Sequence, residues 1–279
     1  MEEEQAKKSA PEILAIQRQE AETELDRPAL ALALSGLSAG LDVGFSLLLM
    51  AVLSHLLVDS PPAAREVAVA FSYSVGFLFV VLGRSELFTE HTTMDILPVL
   101  NGRKKLGSLA RLWIIVFAAN LLGAAAFAWA AATIGPVLGI FPASVLGEIA
   151  KHVVNFPAGV LFASGVFAGW LMGLLGWLVA ASKDTISQIV VVILVTGCIG
   201  LCHFHHCIVG SVEVLSAIFA GQAIAWSDYL HFLLFATLGN AVGGTVFVGL
   251  LKHGHIAYAK DISPSSRKPA HGNSSHSST

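Results

Sequence analysis

Two short segments gather most of the polar chemistry in an otherwise apolar chain: Gly83-Arg84-Ser85-Glu86-Leu87-Phe88-Thr89-Glu90-His91 and His203-Phe204-His205-His206-Cys207. The second can exchange protons near neutral pH, donate hydrogen bonds or ligate a soft metal. Neighbours in an interrupted helix seldom converge on one ion without ligands from elsewhere, so proton and hydrogen-bond chemistry is the preferred reading and no metal is expected. His206 is the candidate acting residue. His205 and His203 read first as packing or supporting groups. Arg84 and Glu86 read as an ion pair that holds their own loop.

The elements around these segments belong to a membrane protein. The chain has 279 residues, 55% hydrophobic and 13% charged, with a mean hydropathy of +0.73. Soluble domains carry about 25% charged residues, so a bilayer is the expected main solvent. Cys198, Cys202 and Cys207 share one apolar stretch and make no disulfide framework. The N-terminus is too acidic for a signal peptide.

Six spans are expected: 28–58, 67–100 with a break at residues 83–86, 106–134, 157–182, a fifth of 185–202 that meets the histidines at 203–206 and is completed by 214–227, and 232–251. Residues 1–27 form an arm with a short charged helix at 11–25 striped by Ile13, Leu14 and Ile16. Residues 28–252 make the six-span transmembrane domain, and 253–279 have the composition of a disordered tail. Residues 135–156 read as a moderately apolar loop. With both termini on one side, that side holds Lys7, Lys8, Arg18, Arg27, Arg103, Lys104, Lys105, Arg111, Lys183 and the basic residues from Lys252 onward. The other side has only Arg65 and Lys151, and Arg84 falls within the membrane. The asymmetry predicts cytoplasmic termini and an inner or plasma membrane location.

Spans one and four share a pattern, Ser35-Gly36-x-x-Ala39-Gly40-x-x-x-Gly44 and Ser164-Gly165-x-x-Ala168-Gly169-x-x-x-Gly173. Spans three and six carry Asn120-Leu121-Leu122-Gly123 and Asn240-Ala241-Val242-Gly243. Glu86 lies 34 residues before Asn120, and His206 lies 34 before Asn240. Gly40, Gly169, Asn120 and Asn240 are read as packing residues, because small side chains let helices approach closely in lipid. Copies of three spans each must point in opposite directions, and paired broken helices of such repeats mark permeation sites.

Glu86-Leu87-Phe88-Thr89 and Phe204-His205-His206-Cys207-Ile208-Val209-Gly210 resemble the two helix-breaking motifs of the formate/nitrite transporter family. Asn120-Leu121-Leu122-Gly123 and Gly239-Asn240-x-x-Gly243-Gly244 are similar to its third and sixth spans. The resemblance covers residues 30–251. It implies an all-α, aquaporin-like fold, a homopentamer with a pore in each protomer, and passage of a small monovalent anion or its conjugate acid. It maps His206 to the family's central histidine, Leu87 and Phe88 to an apolar constriction, and Thr89 to a hydrogen-bonding position beside the pore. Phe204 and His205 join this pore set. The chain departs from the family where His205 replaces a glutamate and Gly210 an asparagine.

The residues themselves leave other functions to weigh. An aquaporin-like channel for a neutral solute shares the repeat logic, but neither break carries Asn-Pro-Ala. A divalent-metal transporter would need ligands beyond the histidines, with Glu213 and Cys202 the ones to seek. No soluble domain or nucleophile–base pair points to an enzyme, and no cofactor or nucleic-acid partner is expected. Lys151 reads as a solvated loop charge. Asp42, alone in span one, either faces the pore or caps a bend.

Overall fold

The computed structural model describes residues 7–251 and Gly254, and the expected tail otherwise lies outside the described residues. The chain is all-helical. An amphipathic helix α1 (Ala10–Asp26) precedes α2 (Ala29–Asp42) and α3 (Gly44–Leu56), which together make one span with a slight break at Val43. The second span is α4 (Pro62–Ser72) with α5 (Ser74–Gly83), followed after a break by α6 (Phe88–Met94) and α7 (Ile96–Leu100). Next come α8 (Leu106–Val137), α9 (Ala143–Val154), α10 (Ala158–Ala181), α11 (Thr185–Leu201), α12 (Cys207–Phe219) and α13 (Trp226–Val242), the last continued by a π-helical stretch Gly243–Leu250.

Among the described residues five helical stretches, α2 with α3, α4 with α5, α8, α10 and α13, are long and apolar enough to cross a bilayer, and α11 and α12 are shorter apolar helices. Their outer surfaces expose Leu34, Ile114, Leu122, Leu194 and Leu234, side chains suited to lipid tails. Inside, helix α12 is buried at every position from Cys207 to Ala217, and burial on every face is the signature of a central helix. It packs on α8, α9 and α13, while α6 packs on α10 and α13. The second halves of both interrupted spans therefore sit in the middle of the protein.

Several boundaries differ from the sequence expectation. The stretch 135–156 is not a loop: α8 runs on to Val137, and α9 lays Val145, Leu146, Ile149, Ala150 and Val154 inward against α12. The second half of the fifth span begins at Cys207 rather than near residue 214, because the histidine segment ends directly on a helix N-terminus. Helix α1 buries Ile13, Leu14, Gln17, Ala21 and Leu25 rather than the closely spaced stripe ending at Ile16. Its start is fixed by Ser9, whose backbone amide (2.5 Å) and hydroxyl (2.6 Å) both donate to Glu12. Those two bonds hold the Glu12 carboxyl below its ordinary pKa.

In lipid, apolar burial between helices gains little, so close approach and hydrogen bonds must hold the bundle. The glycine positions show how close that approach is. A Cβ on Gly40 would lie 2.2 Å from the Asn120 carbonyl oxygen, and one on Gly169 would lie 2.1 Å from that of Asn240. These contacts lock α2 to α8 and α10 to α13.

Candidate functional site: a histidine between two vestibules

Both breaks begin with the same backbone device. Arg84 (φ 54°) and His203 (φ 51°) adopt the left-handed conformation just past α5 and α11. The following amides, Ser85 N and Phe204 N, each donate at 3.0 Å to the carbonyls of Val80 and Ile199. This is a Schellman ending, which caps the helix and turns the chain inward.

The turned backbone would leave bare amides and carbonyls at membrane depth, where water cannot rescue them. Two asparagines supply the partners. The Asn120 Oδ1 accepts from Phe88 N (2.9 Å), and its Nδ2 donates to the carbonyls of Gly36 (2.7 Å) and Glu86 (2.8 Å). Correspondingly, Asn240 Oδ1 accepts from Cys207 N (2.8 Å), and its Nδ2 donates to Gly165 and His205, both at 2.9 Å. Two serines complete the pattern: Ser35 Oγ accepts from Glu86 N and Ser164 Oγ from His205 N, each at 3.1 Å. Asn120 and Asn240 thus do more than pack; they carry the broken backbone.

These bonds set the register between the breaks. Glu86 corresponds to His205, and Leu87 to His206, a correction of one residue to the spacing that matched Glu86 with His206. The chain between the break and its asparagine is one residue longer in the second half, which counting from asparagines alone conceals.

Two cavities approach the breaks from opposite faces. The proximal vestibule, on the face bearing α1, has a volume of about 590 Å³ and is lined by Glu20, Glu24, Arg27, Arg84, Glu86 and Glu90 among others. The distal vestibule, about 470 Å³, is lined by α4, α9 and the second break, and reaches His205, His206 and Glu213. The two share no lining residue. His206 is 2% exposed, Thr89 and Leu87 are fully buried, and His206 Nε2 lies 2.7 Å from Thr89 Oγ1. The edge of the Phe77 ring meets the imidazole with centroids 5.3 Å apart.

His206 is also the N-cap of α12, its Nδ1 accepting from Val209 N at 3.3 Å. A neutral imidazole has one N–H, so an accepting Nδ1 fits the tautomer with hydrogen on Nε2, aimed at the Thr89 hydroxyl. The arrangement presents a hydrogen-bond donor and a hydroxyl side by side in the buried interior.

The other expected site residues divide. Leu87 is fully buried at the end of the first break, just before α6. The Phe88 ring packs against Trp113 and Phe117 of α8, the helix whose Asn120 accepts from its amide. Phe204 lines the distal vestibule and stacks on Phe167 at 5.2 Å. His205 forms part of the vestibule wall, yet both its nitrogens are engaged, Nδ1 with Ser164 Oγ (2.7 Å) and Nε2 with the Val153 carbonyl (3.1 Å). It is therefore a brace between the break, α9 and α10. Gly210 explains its own departure from the family, since a Cβ there would meet the Phe232 ring at 2.4 Å.

The expected Arg84–Glu86 ion pair is not formed. Glu86 pairs with Arg27 instead, while the left-handed turn leaves Arg84 exposed. Arg27 also bonds Glu24 at 2.8 Å, and that bond first, then the two carboxylate charges, raises the guanidinium pKa. Asp42 accepts from Ser38 (3.2 Å) and Ser85 (3.3 Å) at the bend between α2 and α3, so it ties the bend to the first break. Among the described residues no group of three or more His, Cys, Asp or Glu converges for a metal; Cys202 is exposed and apart from buried Glu213.

Sequence reasoning missed Ser35 and Ser164 as backbone partners, although both stand first in the repeated Ser-Gly-x-x-Ala-Gly pattern that signalled them. Arg27 carried no signal, because its partner lies 59 residues away.

Helices with apolar outer surfaces, two broken helices and a cavity reaching towards each break are the features of a membrane channel. The chain belongs to the formate/nitrite transporter family, whose sequence profile matches residues 11–254. It is 35% identical to the inner membrane protein YfdC of Escherichia coli K12 over 86% of this chain and 76% of that protein. The nitrite transporter NirC of Salmonella typhimurium is 27% identical over 77% and 80% of the two chains. Among solved structures, an FNT family ion channel superposes with a TM-score of 0.76 at 24% identity, covering 90% of this chain and 98% of that one. A pentameric formate channel with formate bound gives 0.74 at 24% identity, covering 83% and 98%.

Proposed function

We propose that this protein conducts small monovalent anions, or their conjugate acids, of the formate and nitrite kind, with His206 at the centre of the path. The observation that carries the reading is the 2.7 Å contact between His206 Nε2 and Thr89 Oγ1, where the two vestibules fail to join. A bare anion at that depth costs at least about 2–3 kcal/mol, and an N–H donor beside a hydroxyl offsets part of this. Leu87 and Phe77 exclude hydrated ions, so the solute passes as a neutral acid or one protonated on the way.

In this reading six spans form two inverted three-span repeats, with α6 and α12 as the re-entrant halves. The matched bonds of Asn120 and Asn240 support the repeat, and a pentameric relative supports a homopentamer with one pore in each protomer. The exposed apolar outer surface suits lipid and neighbouring protomers. The charge asymmetry favours an inner membrane location with both termini cytoplasmic.

Flux into proteoliposomes at pH 5 and pH 7.5, with formate, nitrite, acetate and glycerol in parallel, tests the function. Anion flux that rises at low pH in wild type and changes in His206→Ala is the expected result. Flux independent of pH counts against neutral-acid passage. Glycerol flux without anion flux refutes the anion reading.

A further inference from the structure

The distal vestibule contains a carboxylate that His206 and Thr89 leave idle. His206, Gly210 and Glu213 stand at i, i+4 and i+7 along α12, so they share one face, and all three line this vestibule. Glu213 lies about 10 Å along the helix from His206, on the path a solute takes towards it. It is 6% exposed, and among the described residues nothing bonds or pairs with its carboxylate; its backbone carbonyl alone is engaged, by Ser216. An ionised carboxylate buried without a partner costs several kcal/mol. Inside a membrane protein such a group is by default part of a solute or proton path.

The surroundings decide what the group does. Facing the same cavity are Tyr73 at the α4–α5 junction, Arg65 and Glu66 nearer the mouth, and Glu148 and His152 of α9. The break adds His203, His205 and His206, whereas α3 contributes only uncharged Met50 and Ser54. Three carboxylates against one guanidinium make this a poor resting place for a bare anion. They make it a good place to gather protons. His203 is occupied with Glu66 at 3.3 Å, and His205 has both nitrogens engaged. His206 spends Nδ1 on the helix cap. Of the acid–base groups deep in the cavity, Glu213 is left with a free side chain.

Building on the anion reading, we infer that Glu213 is the proton-exchanging group of the distal vestibule, serving small monocarboxylates. A protonated Glu213 gives its O–H proton to the solute carboxylate, leaving Glu213 ionised and the solute as a neutral acid. Water in the vestibule then returns a proton to Glu213, so one proton enters with each anion. A side-chain carboxyl and a small monocarboxylate are acids of similar strength, and proton transfer between them is nearly balanced in energy. His206 and Thr89 then bind the neutral acid at the closure by hydrogen bonds.

The test uses the full chain in proteoliposomes loaded with a pH-sensitive dye, with formate or acetate outside, reading anion and proton uptake together from pH 5 to 7.5. Wild type takes up one proton with each anion. Glu213→Gln loses about tenfold or more of this flux and its pH dependence, while Glu213→Asp keeps the pH dependence. A Glu213→Gln protein with the wild-type pH profile overturns the inference and leaves the anion function standing. Wild type with no flux of any acid overturns the anion function itself, and the inference with it. Should Glu213→Gln fail to assemble, dicyclohexylcarbodiimide treatment of wild type replaces it. Labelling at Glu213 with loss of flux supports the role; labelling without loss, or no labelling, overturns it.

Discussion

Replacing Asn240 with leucine removes three bonds that no other group in the protein can restore. Cys207 N–H loses its acceptor, and the carbonyls of Gly165 and His205 lose their donor, at a site with no exposed surface. Hydrogen bonds between membrane helices average about 0.6 kcal/mol and reach about 1.7, and stranded buried polar groups cost about 1–3 kcal/mol each. Three together set an expected loss of about 2–5 kcal/mol. Asn240→Asp keeps the acceptor for Cys207 but turns an acceptor towards two carbonyls, so it should be no milder at neutral pH. The measurement is unfolding by sodium dodecyl sulfate in mixed micelles, with helix content and oligomer size as readouts. Asn120→Leu should cost a similar amount, because its three bonds have the same partners in the first break. Since Asn240 holds the segment that carries His206, flux should fall as well. A loss below about 0.5 kcal/mol, the range of an ordinary surface substitution, would show that the asparagines do not carry the breaks.

Three further outcomes are expected. Gly169→Ala forces a methyl group into the Asn240 backbone and should cost about 1–3 kcal/mol or prevent assembly, visible by size exclusion in detergent. Arg84→Gly relieves a left-handed residue whose side chain is exposed, and should raise the unfolding midpoint by an amount equivalent to about 1 kcal/mol without moving Glu86 from Arg27. Asp184 caps α11 by accepting from Ser187 N (2.9 Å) and Ser187 Oγ (2.7 Å), bonds that lower its pKa, the backbone one most. The cap is therefore complete above the ordinary aspartate range and is lost as pH falls through the lowered value. Amide exchange in the first turn of α11 should accelerate there, and Asp184→Ala should remove the pH dependence.

Much of this architecture is legible from residue order alone. Apolar runs longer than a bilayer locate most of the spans, because lipid enforces composition residue by residue. Polar segments at 83–91 and 203–207 announce the breaks, since charge is too costly at that depth to be incidental. The two Ser-Gly-x-x-Ala-Gly patterns and the two asparagines marked positions of close helix approach, though not which helices would meet. Folding decided the rest, through contacts between residues distant in the chain. Glu86 found Arg27 rather than nearby Arg84, because a left-handed turn points neighbours apart. Phe88 turned to α8 because its amide is bound there, and residues 143–154 became a helix because α12 offered an apolar surface. The meeting of Thr89 with His206, 117 residues apart, arises only when the second break folds against the first, and Glu213 opens onto a cavity only because α4 and α9 help wall it. Composition and spacing report what each residue can tolerate from its solvent, whereas the partner of a polar group is chosen in three dimensions.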